Sequence, residues 1–229
     1  MEQKNEVIIE IADEFSKLCP DYRCVAIECK VTNTLHDEKL WGEIEDVSSH
    51  LRSTLVLEAI NKQPNIYSTR RTYKTLGKDP NRYRPSAEAL MRRIVKGEEL
   101  YRINTLVDLI NLISLKGGFS IGGFDKDKIV GHNLKLGIGR ANERFEAIGR
   151  GLLNIEGLPV YRDQTGGIGT PTSDEERTKI DLETKNLLMI IHDFGNSYDL
   201  LPTADFAEEK LREYVHATDL KRLFFNLQS

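Results

Sequence analysis

The stretch "YRINTLVDLINLIS" (residues 101–114) sets three polar side chains into a segment that is otherwise almost entirely apolar. Asn104, Asp108 and Asn111 are spaced so that on a helix they form one stripe. The apolar residues around them are enough to bury the helix on most sides. A polar stripe on such a helix either caps buried backbone or faces a ligand pocket. We expect the first role for Asn104 and Asp108, and the second for Asn111.

The segments around this helix predict an α+β fold rather than a strict β-α-β alternation. The segment of residues 1–85 is expected to be an α/β part packed into the same unit as residues 86–229. The predicted elements are an amphipathic helix over 5–18, a strand "CVAIECKV" (24–31), a helix from about Leu40 to Ile60, a helix from Ser86 to Gly97, the 101–114 helix ending at Gly117-Gly118, a fully buried strand "NLLMIIHDF" (186–194), and a C-terminal helix from Pro202 to about Ala217.

Composition excludes several classes of protein. No run approaches the roughly 18 apolar residues of a membrane span, and the first residues lack a signal-peptide core, which indicates a cytoplasmic protein. The three cysteines are odd in number and fit no common zinc spacing, so we expect reduced thiols. The five histidines are scattered, and neither a metal nor a cofactor is expected.

Positive charge is concentrated in residues 70–96, where nine basic residues and two acids give +7, which leaves −11 for the remainder of the chain. Tyr67, Tyr73 and Tyr83 are interleaved with these cations. Basic groups neutralise phosphates and aromatic rings stack on unpaired bases, so the pattern suits RNA. A solvated surface paired with the acidic remainder explains the segment about equally well. The candidate RNA contacts are Arg82, Arg84, Arg92 and Arg93.

The segment of residues 161–186 is rich in glycine and hydroxyl side chains and precedes the predicted buried strand. Such a segment can line a ligand pocket with backbone amides. An equally good interpretation is structural, because Ser173 and Glu176 match a helix capping box. The candidate substrate-binding residues here are Gly166, Gly167, Thr170, Thr172 and Ser173.

The string "GFSIG" (118–122) has the spacing of a hydrolase nucleophile motif. That motif needs a strand before the serine and a helix after it. The predicted order here is the reverse, so a catalytic triad on Ser120 is not expected.

A family resemblance runs from about Ser86 to Asp193. The motifs "SAEALMRRI", "INTLVDLINLISL", "GGFDKDKIVG", "GRANERFEAIG", "LPVYRD" and "TSDEERTKIDLETKN" resemble the editing domain of the phenylalanyl-tRNA synthetase β subunit, and free-standing proteins built from that domain alone. The resemblance implies a layered mixed α/β fold with a sandwich-like sheet. In the synthetase, this domain holds a pocket that hydrolyses tyrosine wrongly attached to phenylalanine tRNA.

The pocket residues of that family transfer in part. The resemblance places the family's pocket asparagine on Asn111 and its glycine-pair turn on Gly166-Gly167. Gly122 stands where the family has a histidine, and apolar Ile190 stands near the position of a glutamate that reads the tyrosine hydroxyl. Gly122 is kept as a pocket candidate. Without the glutamate, the pocket should not recognise a phenol in the same way, because a buried hydroxyl needs a partner.

Three functions follow as hypotheses, none of them a complete tRNA ligase. The first is a module that binds tRNA or its aminoacyl end. The second is a deacylase that cleaves the ester of a mischarged tRNA in trans, using positioned water, backbone amides and the terminal hydroxyl of the tRNA. The third is a non-catalytic module for a small molecule or amino acid that kept the fold without RNA. The catalytic residues and the oligomeric state stay open.

Overall fold

The computed structural model describes residues 7–195 and 197–227, which contain seven α-helices and ten β-strands. The helices are α1 (Asp13–Leu18), α2 (Glu38–Thr54), α3 (Leu57–Ile60), α4 (Pro64–Thr75), α5 (Ser86–Val95), α6 (Thr105–Gly117) and α7 (Leu200–Val215). The strands are β1 (Ile8–Ile11), β2 (Arg23–Lys30), β3 (Ile121–Asp125), β4 (Asn133–Ile138), β5 (Glu146–Ala147), β6 (Gly151–Leu152), β7 (Pro159–Arg162), β8 (Gly167–Gly169), β9 (Asn186–Asp193) and β10 (Thr218–Asn226).

Two four-stranded sheets organise the chain. One has the strand order β1-β4-β7-β8, and the other has the order β10-β2-β9-β3. The second sheet is antiparallel throughout, and its β2 and β9 pair over eight residues, from Arg23 opposite Asp193 to Lys30 opposite Asn186. In the first sheet, β1 runs parallel to β4 while the other pairs are antiparallel. Strands β5 and β6 pair with each other outside both sheets.

The second sheet is buried on both faces, which makes three layers. On β9, Leu188 and Ile190 pack between the two sheets, with Tyr161 from β7. The alternating residues Met189 and Ile191 pack on the other face, against helices α2, α6 and α7. Because both faces are covered, the strand is apolar at nearly every position. The α+β fold with a sandwich-like pair of sheets is therefore confirmed, as is the fully buried strand at 186–194.

The N-terminal prediction was wrong in part. A single helix was expected over residues 5–18, but residues 8–11 form β1 and the helix begins only at Asp13; the first six residues lie outside the described part. Val7 and Ile9 alternate into the core between the sheets, while Ile8 is exposed. This period of two suits a strand, and hydrogen bonding to β4 fixes it.

Two further boundaries differ from the predictions. The helix expected from Leu40 to Ile60 is two helices, α2 and α3, because Leu55 and Val56 are extended. Residues 218–226, for which no element was predicted, form β10 at the edge of the second sheet. Helix α6 ends as predicted, with Gly118 in the left-handed conformation that glycine adopts easily, but it begins at Thr105 rather than at Tyr101, because Asn104 is its N-cap.

The cysteines Cys19, Cys24 and Cys29 are all buried and carry free thiols. In the described residues, no helix has both the length and the apolar character needed to cross a membrane.

Candidate functional site

A cavity of about 560 Å³ lies between α6, α5, strand β3 and the segment of residues 172–182. We call it the α6 cavity. Asn111, Ser173 and Asp174 are among the ten polar or charged residues that line it, beside eight aliphatic ones. The apolar lining includes Leu90, Ile103, Val107, Ile110, Ile121 and Ile180. Most of the accessible area of the wall is apolar, and polar and charged side chains interrupt it, as in small-molecule sites.

Two side chains of the α6 polar stripe hold the start of the helix, and one of them, Asn104, lines the cavity as well. The Asn104 side chain caps the helix by accepting a hydrogen bond from the Val107 amide (3.0 Å). Asp108 accepts from the Ile103 amide (3.1 Å) and from the Trp41 indole (2.8 Å), so it fixes the start of the helix. These contacts confirm the structural role of Asn104 and Asp108.

Asn111 differs from the other two members of the stripe because its side chain has no hydrogen-bond partner among the described residues. Its side chain lines the α6 cavity and makes no hydrogen bond to any residue that the structure describes. It lies one helical turn beyond Asp108, on a helix that is otherwise held rigidly by its cap and core packing. A free amide on a fixed helix can donate to or accept from a ligand.

The turn at residues 170–174 forms the opposite wall. The hydroxyl of Thr170 accepts hydrogen bonds from the amides of Thr172 and Ser173 (both 3.1 Å) and donates to the Ser173 carbonyl (3.0 Å). Thr170 therefore shapes the turn, while Thr172 and Ser173 line the cavity. The predicted capping box was wrong, because the 3-10 turn of Glu176–Thr178 is capped by the side chain of Glu175.

Asp174 also lines the cavity and was not singled out from the sequence. Its Oδ2 atom accepts from the Gly123 amide (3.0 Å), which is the one hydrogen bond to this carboxyl among the described residues. Burial raises the pKa of Asp174 from 3.8 to about 7, although the hydrogen bond from Gly123 opposes the shift. Such a displaced pKa without a cationic partner marks a candidate functional group.

Glycine backbone makes the position of Asp174 possible. A Cβ atom at Gly169 would lie 2.7 Å from Asp174 Oδ1 and 2.5 Å from Phe124 Cζ, closer than such contacts normally come. A Cβ atom at Gly122 would approach the same carboxylate oxygen at 3.5 Å. Gly122 therefore lies beside Asp174, and its missing Cβ atom leaves room for the ring of Phe124, whose Cζ atom would lie 2.7 Å away.

The glycine pair predicted for the pocket lies elsewhere. Gly166 and Gly167 belong to the hairpin between β7 and β8, where the Gly166 amide donates to Asp163 Oδ1 (3.0 Å). Gly167 packs against Phe145, since a Cβ atom there would lie 2.9 Å from its ring. Ile190 is fully buried between the two sheets. The structure thus brings Asn111, Thr172 and Ser173 together, and leaves the glycine pair apart from them.

The basic segment is partly neutralised by one buried acid. Glu88 is fully buried and pairs with Arg70 (2.8 Å) and Arg92 (2.8 Å). Arg93 pairs with Glu98 (3.2 Å) and lies 4.2 Å from the ring centre of Tyr101. These contacts remove much of the free charge that composition suggested.

Two of the four predicted RNA contacts remain exposed. Arg82 and Arg84 lie in the loop before α5, and Arg84 reaches Glu88 only at 3.7 Å. Helix α5 itself forms part of the cavity wall through Ser86 and Leu90. Since Arg93 follows Leu90 by three residues, it lies on the same side of the helix.

Comparison with known proteins identifies the family. The family model described as the B3/4 domain matches residues 68–198, which is more than half of the chain and includes the α6 cavity. The chain belongs to the B3/4 domain family. The predicted resemblance to this domain of the phenylalanyl-tRNA synthetase β subunit is thereby confirmed.

One solved structure similar to this B3/4 protein is an N-terminal fragment of the phenylalanyl-tRNA synthetase β subunit from Pyrococcus horikoshii. The identity is 15% and the TM-score 0.47, with 98% of this chain and 55% of that chain covered. This B3/4 protein therefore spans about half the length of that fragment. No curated protein matches the sequence.

Proposed function

We propose that this B3/4 protein binds the aminoacyl end of a tRNA, with the amino acid in the α6 cavity. The observation that carries the proposal is the position of Asn111 on the wall of that cavity, where its side chain has no hydrogen-bond partner among the described residues. The cavity has the size of a small-ligand site and borders the basic segment through α5. Phosphates at its mouth would be neutralised by the exposed Arg82 and Arg84.

Hydrolysis of the bound ester extends this proposal. Water adds to the ester carbonyl carbon, and the bond from that carbon to the ribose oxygen then breaks, with the ribose oxygen taking up the proton. The Asn111 amide would donate to the carbonyl oxygen as negative charge develops there. The vicinal ribose hydroxyl would position the water, so that the protein supplies orientation rather than a nucleophile. Ser120 has no part in it, because it is buried between the end of α6 and the start of β3.

A binding experiment tests the RNA part of the proposal. Affinity for tRNA is measured over a series of salt concentrations for the wild type and for a variant with Arg82→Glu and Arg84→Glu. We expect weaker binding, and a slope of log affinity against log salt that falls by about one for each phosphate that the variant no longer neutralises. The control is Lys17→Glu, an exposed lysine on α1, which packs against β4. Equal binding by both variants would contradict the proposed role of the two arginines.

Arg92 is left unchanged in this test because it pairs with the buried Glu88. Reversing its charge would disturb the fold as well as any RNA contact.

A second candidate function is a non-catalytic module for a free amino acid. The pairing of Arg70 and Arg92 with Glu88 favours it, because these cations serve the protein rather than a phosphate. This alternative predicts that charge reversal at Arg82 and Arg84 leaves ligand binding unchanged.

We also propose that residues 1–85 and 86–229 act as one unit in the cytoplasm. Strand β2 from the first part lies between β9 and β10 from the second, which supports one unit.

A further inference from the structure

The walls of the α6 cavity are suited to an apolar ligand. Six aliphatic side chains from α5, α6, β3 and the segments flanking them surround its centre, and Ile148 and Leu182 extend this lining. Transfer of an aliphatic or aromatic side chain from water to such a wall is favourable, whereas a charged side chain would lose its hydration without a partner. The cavity should therefore accept an apolar amino acid side chain.

Four charged residues also line the cavity, and two of them are already engaged. Lys179 forms an ion pair with Glu176, and Asp181 pairs with Lys128 at 2.6 Å. Their charges are balanced by neighbouring residues. They are therefore poor candidates for the ligand's own charged groups.

The other two charged residues, Asp174 and Arg150, have no ionic partner among the residues that the structure describes. One oxygen of Asp174 is held by the Gly123 amide, which fixes the carboxyl on the cavity wall. The Arg150 side chain is exposed, on the turn between β5 and β6. A carboxyl fixed in this way is complementary to a cation, and the arginine at the rim to an anion.

We infer that the α6 cavity selects an α-amino acyl group with a free ammonium and an apolar side chain, and that Asp174 pairs with that ammonium. Arg150 then faces the anionic side of the same ligand, which is a phosphate of the tRNA end or the carboxylate of a free amino acid. This inference rests on the proposed function and adds the substrate class to it. It makes Asp174 a specificity-determining residue.

The experiment uses tRNA that carries its amino acid through a stable amide linkage, so that binding is measured without hydrolysis. Leucine, phenylalanine, aspartate and lysine are each attached, and each product is prepared with a free or an acetylated α-amine. We expect the leucine or phenylalanine forms with a free amine to bind most tightly. Acetylation should weaken their binding by about 10- to 100-fold, since it removes the charge that Asp174 recognises.

Asp174→Asn and a matched control, Glu183→Gln, separate ammonium recognition from a general effect of removing an acid. Glu183 is exposed on the neighbouring segment and does not contribute to the cavity wall. In Asp174→Asn the difference between free and acetylated amines should shrink to less than about threefold, while Glu183→Gln should retain it. The acetylation series on the wild type tests the inference even if the Asp174 variant does not fold.

The outcomes distinguish the inference from the proposed function. Preference for charged over uncharged tRNA, with no effect of acetylation, would overturn the ammonium site and leave the proposed function standing. Binding of free leucine that depends on Asp174, without preference for any charged tRNA, would support the ammonium site and refute the proposed function. Tighter binding of aspartate or lysine forms would overturn the apolar selection.

Discussion

The carboxyl of Asp174 should lower the free energy of unfolding by an amount that depends on pH, and Asp174→Asn tests this. Among the described residues a single amide donor holds the carboxyl, and burial raises its pKa to about 7. Asparagine has nearly the same size, and its carbonyl oxygen can accept the same hydrogen bond from Gly123. The substitution therefore removes the charge and little else.

The direction of this pH dependence follows from the pKa of Asp174 in the unfolded chain and in the folded protein. Below about pH 4, Asp174 is protonated in both the folded and unfolded chain, so charge plays no part. Between about pH 4 and 7, the unfolded chain loses the proton while the folded protein keeps it, so the free energy of unfolding falls as pH rises. At about 1.36 kcal/mol per pH unit, the loss reaches about 4 kcal/mol. The value of about 4 kcal/mol is an upper limit, because Asp174 is partly exposed and solvent screens its charge.

Urea unfolding at about pH 4.5 and about pH 8.5 measures the effect. We compare the free energy of unfolding of Asp174→Asn with that of the wild type at each pH. We expect this difference to shift in favour of the variant by at least about 2 kcal/mol from the lower to the higher pH. Glu183→Gln, an exposed control, should stay within about 0.5 kcal/mol of the wild type. If Asp174→Asn is less stable than the wild type at the higher pH, the carboxylate is paired and the reasoning is wrong.

Three further predictions concern the stability of the fold. Glu88→Gln should cost about 3 kcal/mol in urea unfolding, because it leaves a buried arginine without its acid; a loss below about 1 kcal/mol would contradict that pairing. Gly139→Ala should cost about 3 kcal/mol, since its Cβ atom would overlap the backbone oxygen of Ile155, whereas Gly42→Ala in an open part of α2 should be neutral or stabilising; equal effects on the melting temperature would refute this. Burial raises the pKa of Asp163, but hydrogen bonds from Arg177 and three amides outweigh burial and lower it. Asp163→Asn should therefore be less stable than the wild type at neutral pH and approach it as pH falls below about 4. A difference in the free energy of unfolding that stays constant with pH would contradict this.

The fold could be predicted where one segment carries its own signal. The strand at 186–194 is apolar at almost every position because the second sheet is covered on both faces. The end of the helix at 105–117 was visible in the sequence as a glycine pair, whereas its start was placed at Tyr101 because Asn104 was assigned to the helix rather than to its cap.

The N-terminal segment shows why the other boundaries could not be predicted. Its apolar residues satisfy a helical and a strand period about equally well. The choice is made by parallel pairing with β4, more than a hundred residues further along the chain. Such a partner has no local signature.

The candidate site also contains residues that the sequence could indicate and residues that it could not. Asn111 could be found because a polar residue on an apolar helix violates a local rule. Asp174 could not, since it stands among other acids in "TSDEERTK" and only the tertiary structure separates it from cations. The glycine pair at 166–167 was assigned by family resemblance, and the structure places it in a hairpin away from the cavity.

The central claim is that the α6 cavity binds the aminoacyl end of a tRNA and favours cleavage of its ester. The most direct measurement follows ester loss from tRNAs that carry correct or incorrect amino acids, beginning with tyrosine on phenylalanine tRNA, with the wild type and Asn111→Ala. We predict selective hydrolysis of one mischarged tRNA with an apolar amino acid, slowed at least about tenfold in Asn111→Ala. Ester loss no faster than without protein for every tRNA, or equal rates for both proteins, would contradict the claim.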